Sequence, residues 1–165
     1  MTRLFVAIWP PEELLERLAD VERPKDPGVR WLPQENLHIT LRFLGDADVD
    51  EAIERLDDVL LPAVTAVLGP AFDLRAERSI VLPVAGVDEL ADAVERAVRG
   101  VGTANDRRRF VGHFTLARLG KKARPDRSVG RLFGASFDVD EIALVASTLT
   151  DRGSVYETVE TWPTR

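Results

Sequence analysis

The stretch Leu37-His38-Ile39-Thr40-Leu41 returns later in the chain as Gly112-His113-Phe114-Thr115-Leu116. The chain has two histidines, and each stands two residues before a threonine inside an apolar run. In an extended strand, side chains at positions i and i+2 leave the same face. Each stretch therefore predicts a strand that presents an imidazole beside a hydroxyl on one face and apolar side chains on the other.

The sequence around these stretches repeats as well, at an offset of 75 residues. Between residues 37–45 and 112–120, five of nine positions are identical. At the same offset, residues 5–9 align with residues 80–84. The first predicted helix of each repeat aligns with the other when the offset is one residue longer. We interpret the chain as a duplicated strand–helix–strand unit, whose pseudo-twofold arrangement brings both histidine strands to a central cleft.

The composition is that of a soluble globular protein. A length of 165 residues, with 45% hydrophobic and 30% charged residues, predicts one domain or two small lobes with a substantial core. The absence of cysteine excludes disulfides and thiolate metal sites. The apolar run at residues 4–9 is too short for a signal segment or a membrane span. We therefore expect a cytoplasmic protein that has no membrane partner.

The basic residues are clustered, although the net charge of −6 argues against a general nucleic-acid coat protein. The segment 105–131 has nine cations and two carboxylates, so it carries a charge of +7. We interpret this segment as an anion-attracting rim beside His113, whose neutral form the cations favour. A solvated loop is the alternative. The nine cations are Arg107, Arg108, Arg109, Arg118, Lys121, Lys122, Arg124, Arg127 and Arg131.

Short strand patterns alternate with three helical patterns, which predicts an α+β fold. Apolar residues at helical spacing predict helices over residues 12–21, 48–61 and 88–98. Strands are predicted over residues 3–9, 29–32, 37–44, 72–74, 79–84, 109–119, 136–138, 141–149 and 155–161.

Several familiar catalytic arrangements are missing from the sequence. A zinc site needs three or more ligands, and two histidines without cysteine leave only carboxylates to complete it. Neither a G-x-S-x-G nucleophile elbow nor a Walker phosphate loop is present. We therefore predict an activity without metal or cofactor.

Two facing histidines suit acid–base chemistry at a cyclic phosphodiester. Imidazoles that titrate near neutrality can hold opposite protonation states at one pH, as a base for water and an acid for the leaving oxygen require. Thr40 and Thr115 can supply hydroxyl donors to the charged transition state. Arg118 lies three residues after Thr115, so it shares that face only if the strand twists or bulges.

Each of these residues also has a purely structural interpretation. A single histidine on a strand is more often structural than catalytic, and threonine is common in strands. We interpret Trp9, Trp31, Trp162 and Phe43 as packing aromatics, of which one could stack on a base. The structural interpretation leaves the repeated spacing of histidine and threonine unexplained.

The two stretches His38-Ile-Thr40-Leu-Arg-Phe-Leu-Gly and His113-Phe-Thr115-Leu-Ala-Arg resemble the paired H-x-T-x motifs of the 2H phosphoesterase superfamily. The resemblance is greatest to its RNA 2′,3′-cyclic phosphodiesterases, the LigT-like 2′-5′ RNA ligases. It extends to the opening strand, to Arg30-Trp-Leu-Pro-Gln-Glu-Asn-Leu-His38 and to Gly153-Ser-Val-Tyr156. Gly112 departs from the family, which usually has proline before the second histidine.

The resemblance implies one bilobal α+β domain over residues 1–165. Its two pseudo-symmetric lobes, each an antiparallel sheet with flanking helices, would enclose a cleft that carries the two His-x-Thr strands. The implied activity is metal-independent hydrolysis of RNA or nucleotide 2′,3′-cyclic phosphates to 2′-phosphates, with reversible 2′-5′ RNA ligation. His38 would be the proton donor and His113 the proton acceptor. Phosphate would be bound by Thr40, Thr115 and Arg118.

The expected partners are RNA 3′ ends or nucleotides that carry a 2′,3′-cyclic phosphate, and the expected state is a monomer. Two alternatives stay open. One is a phosphodiesterase for another small cyclic phosphate or for 2′-5′ linkages, and the other is a non-catalytic RNA-end binding module. Two intact histidines argue against the binding module, because binding needs neither an acid nor a base.

Overall fold

The computed structural model describes residues 1–104 and 109–165. These residues form the predicted α+β fold, which is thereby confirmed. The elements, in chain order, are β1 (Thr2–Ile8), α1 (Glu12–Ala19), β2 (Val29–Trp31), β3 (Ile39–Ala47), α2 (Val49–Asp57), β4 (Val64–Leu68), β5 (Asp73–Arg75), β6 (Ser79–Ala85), α3 (Asp88–Ala97), β7 (His113–Leu119), β8 (Ala135–Val139), β9 (Glu141–Thr150) and β10 (Gly153–Pro163).

The strands pair antiparallel in a sheet that has two halves. One half has the order β10-β9-β1-β3, and the other has β7-β6-β4-β8 with β2 beside β7 and β5 beside β6. The halves join where β3 meets β7, at Ile39 opposite Phe114. The bilobal arrangement is confirmed, and both His-x-Thr stretches lie at this seam.

The two faces of the sheet have different environments. Leu14 of α1 and Leu90 of α3 join Leu4 and Val6 in the main core. Burying such a side chain stabilises the fold by about 1.5–3 kcal/mol. Phe5 alternates with these core residues of β1, and it belongs to a separate small cluster on the other face. The helices therefore cover one face and leave the other for a cleft.

Strand β7 has a bulge at Leu116. Consecutive residues of β6, Ile80 and Val81, lie opposite Ala117 and Thr115, so Leu116 is an extra residue. A bulge of this kind breaks the alternation of side chains along the strand. The strand beyond the bulge therefore presents its side chains in a shifted phase relative to Thr115.

Strand β3 has the matching bulge at Leu41, 75 residues earlier. Here Val6 lies opposite Arg42, while Ala7 lies opposite Thr40. The two ladders therefore share their irregularity as well as their direction, which supports the proposed duplication.

The predicted alignment of β1 with β6 is wrong by one residue. Phe5 pairs with Phe43 in one ladder, and Ser79 pairs with Arg118 in the other. Strands β1 and β6 thus correspond at an offset of 74, whereas β3 and β7 correspond at 75. Both β1 and β6 are largely buried, so their apolar pattern does not reveal their phase.

Several further elements differ from the predictions, and among them β3 begins at Ile39 rather than at residue 37. Helix α2 ends at Asp57 rather than near residue 61, and Leu60 is exposed. Acidic side chains disfavour a helix C-terminus, and here Asp57 Oδ1 accepts a hydrogen bond from Trp162 Nε1 at 2.7 Å. Strand β4 was not predicted, because its five residues, of which four are apolar, lie between two prolines and show no distinctive period. Strand β7 begins at His113 rather than at residue 109.

Candidate active site

A cleft of about 710 Å³ opens where the two halves of the sheet meet. It brings together the five side chains singled out in the sequence, namely His38, Thr40, His113, Thr115 and Arg118. Arg118 reaches the cleft because the bulge returns it to the face of Thr115, which is the condition that its sequence position requires.

His38 is held at both ring nitrogens. Its Nδ1 lies 2.8 Å from the carbonyl oxygen of Asn36, and its Nε2 lies 2.9 Å from Thr40 Oγ1. A carbonyl oxygen only accepts hydrogen bonds, so Nδ1 carries the proton and donates it. In neutral His38, Nε2 therefore accepts a hydrogen bond from the hydroxyl of Thr40.

His113 is oriented in the same way. Its Nδ1 donates to the carbonyl oxygen of Val111 at 3.0 Å. In both histidines, the accepting carbonyl belongs to the residue two positions earlier. The repeated contact fixes the same tautomer twice, so Nε2 of each neutral imidazole is the unprotonated nitrogen that can accept a proton.

Aromatic rings surround His38. The centroid of its ring lies 4.9 Å from that of Phe5, 5.8 Å from Trp9 and 5.4 Å from Tyr156. Burial lowers the pKa of His38 below the ordinary value of 6.5; the hydrogen bond to the Asn36 carbonyl opposes this effect, and nearby positive charge adds to it. Phe5 and Tyr156 were not among the site residues expected from the sequence.

Two cations, Arg75 and Arg118, lie near His113. Burial is the main cause that lowers the pKa of His113 below 6.5, and the charges of Arg75 and Arg118 lower it further, against the raising effect of the Val111 carbonyl. The two cations lower this pKa in the expected direction, although burial is the larger cause and only Arg118 belongs to the basic segment 105–131. Arg75 comes from β5, and its sequence position gave no sign of this contact.

Only part of the predicted basic rim is found at the cleft. Arg107 and Arg108 lie outside the described residues. Arg118 lines the cleft, whereas Arg131 Nη1 donates to the carbonyl oxygen of Glu22 at 2.6 Å. The remaining cations that line the cleft come from other segments, and they are Arg30, Arg75 and Arg152.

The two halves of the cleft have corresponding strand pairing, but their side chains differ in chemistry. The pair Phe5 and Phe43 stacks with ring centroids 6.1 Å apart. The corresponding pair in the other half is Ser79 and Arg118, in which Arg118 Nη1 donates to Ser79 Oγ at 2.9 Å. Matching positions of the repeat thus supply an aromatic pair on one side and an anchored cation on the other.

Gly112, the departure from the usual family pattern, fits its surroundings closely. Its carbonyl oxygen accepts a hydrogen bond from the backbone N–H of Val84 at 3.0 Å. A Cβ built on Gly112 would clash with the carbonyl oxygen of Val84. The lack of a side chain therefore lets the backbone before His113 lie directly against β6.

Within residues 1–104 and 109–165, no three histidine, aspartate or glutamate side chains are grouped so that they could hold a metal ion. Metal independence stays a prediction. No helix in the described part of the chain is both long and apolar enough to span a membrane.

Comparison with known proteins identifies the family. A sequence profile of the 2′-5′ RNA ligase superfamily matches residues 10–151. An RNA 2′,3′-cyclic phosphodiesterase of Thermus thermophilus is 32% identical over 186 residues, covering 99% of this chain and 90% of that protein. One of Methanocaldococcus jannaschii is 29% identical over 173 residues, covering 97% and 99%.

Solved structures share the fold. The crystal structure of Escherichia coli LigT complexed with 3′-AMP matches with a TM-score of 0.77 at 27% identity, covering 99% of this chain and 98% of that one. The predicted resemblance is confirmed, and the chain belongs to the 2′-5′ RNA ligase superfamily.

Proposed function

We propose that the protein hydrolyses 2′,3′-cyclic phosphates at RNA 3′ ends, or on nucleotides, to 2′-phosphates. The observation that carries this proposal is the pair of imidazoles in one cleft, each with Nδ1 bound to a carbonyl oxygen two residues earlier. Such a pair can act as base and acid in one step. The names of the relatives support the choice of substrate.

In the proposed step, Nε2 of neutral His113 accepts a proton from water, and the water oxygen attacks phosphorus. The bond between phosphorus and the ribose 3′-oxygen breaks. That oxygen takes the proton of Nε2 of protonated His38, and the phosphate stays on the 2′-oxygen. The cations beside His113 favour its neutral form, which supports its role as the base.

The hydrogen-bonding role of the Thr40 hydroxyl depends on whether His38 is protonated. When His38 is neutral, the hydroxyl of Thr40 donates to Nε2. When His38 is protonated, Nε2 is itself a donor and no longer accepts the hydroxyl proton of Thr40. The hydroxyl proton of Thr40 is then available to a phosphate oxygen. The acid form of His38 and the phosphate-binding form of Thr40 therefore occur together.

Thr115 and Arg118 are proposed to stabilise the charge that develops on the non-bridging oxygens. Preorganised donors in this position commonly contribute a factor of about 10²–10³ in rate. The hydrogen bond between Arg118 and buried Ser79 holds the guanidinium in place before substrate arrives.

An RNA 5′-hydroxyl in place of water would attack the same phosphorus and form a 2′-5′ linkage, which is the proposed ligation reaction. We also propose that the duplicated unit forms a single domain over residues 1–165, and that the protein acts as a monomer in the cytoplasm.

The direct test is the product formed from an RNA oligonucleotide that ends in a 2′,3′-cyclic phosphate, in excess EDTA. We expect an undiminished rate and a 2′-phosphate product, because both proton transfers use imidazoles. Phosphorus NMR identifies the product. Loss of turnover that added zinc or manganese restores would contradict the mechanism, and a 3′-phosphate product would contradict the assignment of the leaving oxygen.

The pH profile follows from the lowered pKa values. The base must be neutral and the acid protonated, so kcat/KM should be bell-shaped, with a maximum below pH 6.5, the ordinary pKa of histidine. A bound phosphate favours imidazolium, so both limbs of the kcat profile should lie at higher pH than those of kcat/KM. Steady-state rates on a cyclic mononucleotide give both profiles. A maximum of kcat/KM above pH 7.5 would contradict this expectation.

A further inference from the structure

A second hollow, of about 490 Å³, lies beside the cleft, and Trp31 lines both. Trp31 is the last residue of β2, opposite Ala117 of β7. Of the described residues, Trp31 is the one that the two concavities share. A ligand that extends from the cleft on this side must therefore pass over its side chain.

Trp31 offers a stacking surface that already carries a cation. The guanidinium carbon of Arg23 lies 5.3 Å from the centroid of a Trp31 ring. Arg23 is exposed and Trp31 is half-buried, so both remain accessible. Aromatic rings and guanidinium planes are the groups on which unpaired RNA bases stack.

The charges of the hollow favour an anion. Arg23 and Lys25 are exposed cations, and the carboxylate of Asp26 is engaged by backbone donors. Asp26 Oδ1 accepts from the N–H of Gly28 at 2.9 Å, and Oδ2 accepts from the N–H of Arg124 at 2.6 Å. The two cations outnumber this one carboxylate, whose oxygens are already occupied by backbone donors, so the charged side chains that line the hollow have a net charge of about +1.

Further backbone contacts bring a basic turn, residues 120–124, beside this hollow. The N–H of Gly120 donates to the carbonyl oxygen of Gly28 at 2.8 Å, and a Cβ on Gly28 would clash with the backbone of Ala123. The two loops therefore touch. The turn adds three exposed cations next to the hollow, namely Lys121, Lys122 and Arg124.

We propose that the nucleotides preceding the cyclic-phosphate end of an RNA run from the cleft over Trp31 into this hollow. One base stacks on Trp31 and Arg23, and the backbone phosphates lie near Lys25 and the turn at residues 120–124. The inference rests on the proposed function and narrows its substrate class to single-stranded RNA of several nucleotides. A cyclic mononucleotide occupies only the cleft, so contacts in the hollow do not contribute to its binding.

The test compares kcat/KM for an RNA tetranucleotide with a 2′,3′-cyclic phosphate end and for the cyclic mononucleotide. The wild type should prefer the tetranucleotide. The double variant Arg23→Ala/Lys25→Ala should lose about 10-fold on the tetranucleotide and nothing on the mononucleotide. For this variant on the tetranucleotide, the negative slope of log(kcat/KM) against the logarithm of the salt concentration should also be shallower than that of the wild type by about 1.4. The loss of two phosphate contacts predicts this change.

The matched control is Arg96→Ala/Arg99→Ala, which removes two exposed cations at the end of α3. It should keep the preference for the tetranucleotide. Trp31→Leu, which keeps apolar bulk, should lose more on the tetranucleotide than on the mononucleotide. Equal use of the two substrates by the wild type, or equal losses on both in Arg23→Ala/Lys25→Ala, would overturn the inference.

Failure of the proposed function gives a different result. If the wild type turns over neither substrate, fluorescence anisotropy with a 3′-phosphate-ended RNA tetranucleotide still decides the path of the strand. About 10-fold weaker binding by Arg23→Ala/Lys25→Ala supports the path, and equal binding by the variant and the wild type overturns it.

Discussion

His38→Ala and His113→Ala are each expected to reduce hydrolysis of a 2′,3′-cyclic phosphate by about 10²–10⁴-fold, the usual contribution of a general acid or base. Both imidazoles line one cleft, and the Nδ1 contact of each leaves Nε2 as the nitrogen that exchanges a proton in the proposed mechanism. Removal of either leaves one proton transfer without a partner. Initial rates on a cyclic mononucleotide measure the loss.

The control for this prediction separates lost chemistry from lost stability. Asp48 caps α2 by accepting from the N–H of Glu51 at 3.0 Å, so Asp48→Ala should cost about 1 kcal/mol of the free energy of unfolding while turnover persists. Thermal unfolding should show that both histidine variants are folded at the assay temperature. A folded histidine variant with near-full activity would refute the two-histidine mechanism. Absence of turnover in the wild type would favour the non-catalytic binding module.

Changing the leaving group should separate the roles of the two histidines. An aryl phosphodiester, in which a nitrophenoxide replaces the ribose 3′-oxygen, needs little help from an acid. His38→Ala should then recover to within about 10-fold of the wild type, whereas His113→Ala should stay reduced by about 10²–10⁴-fold. The release of nitrophenol, followed by absorbance, gives both rates.

Rescue of the other histidine variant by the aryl substrate would also be informative. Recovery of His113→Ala, with His38→Ala still inactive, would exchange the two roles and leave the two-histidine mechanism standing. The aromatic rings around His38 and the cations around His113 make the two variants chemically unlike, so their responses should be easily distinguished.

The histidines and threonines were predictable because the relevant signal is local. His38 directly precedes β3 and Thr40 lies within it, and their spacing places them on one face of an extended chain, whatever the rest of the fold does. The sequence predicted that Arg118 would share the face of Thr115 only if the strand twists or bulges. That bulge, at Leu116, depends on the pairing of β7 with β6. A sequence pattern does not show which residue of a buried strand is left without a partner on the neighbouring strand.

The other residues of the cleft are brought there by distant parts of the chain. Tyr156 approaches His38 from β10, and Arg75 approaches His113 from the short strand β5. Neither position differs in spacing or type from an ordinary strand residue. The cationic environment of His113 was expected from its own segment, yet part of it is supplied by β5, because sheet pairing brings β5 beside β6.

The unequal pairs at the matching bulges also bear on regiochemistry. A site with true twofold symmetry would accept a five-membered cyclic phosphate in two degenerate orientations, related by exchange of the 2′- and 3′-oxygens. Each orientation would hand a different oxygen to the same histidine. The stacked rings of Phe5 and Phe43 on one side, and Arg118 held by Ser79 on the other, make the two sides chemically different. Under the proposed mechanism, the product is therefore a single isomer because a duplicated scaffold acquired different side chains at equivalent positions.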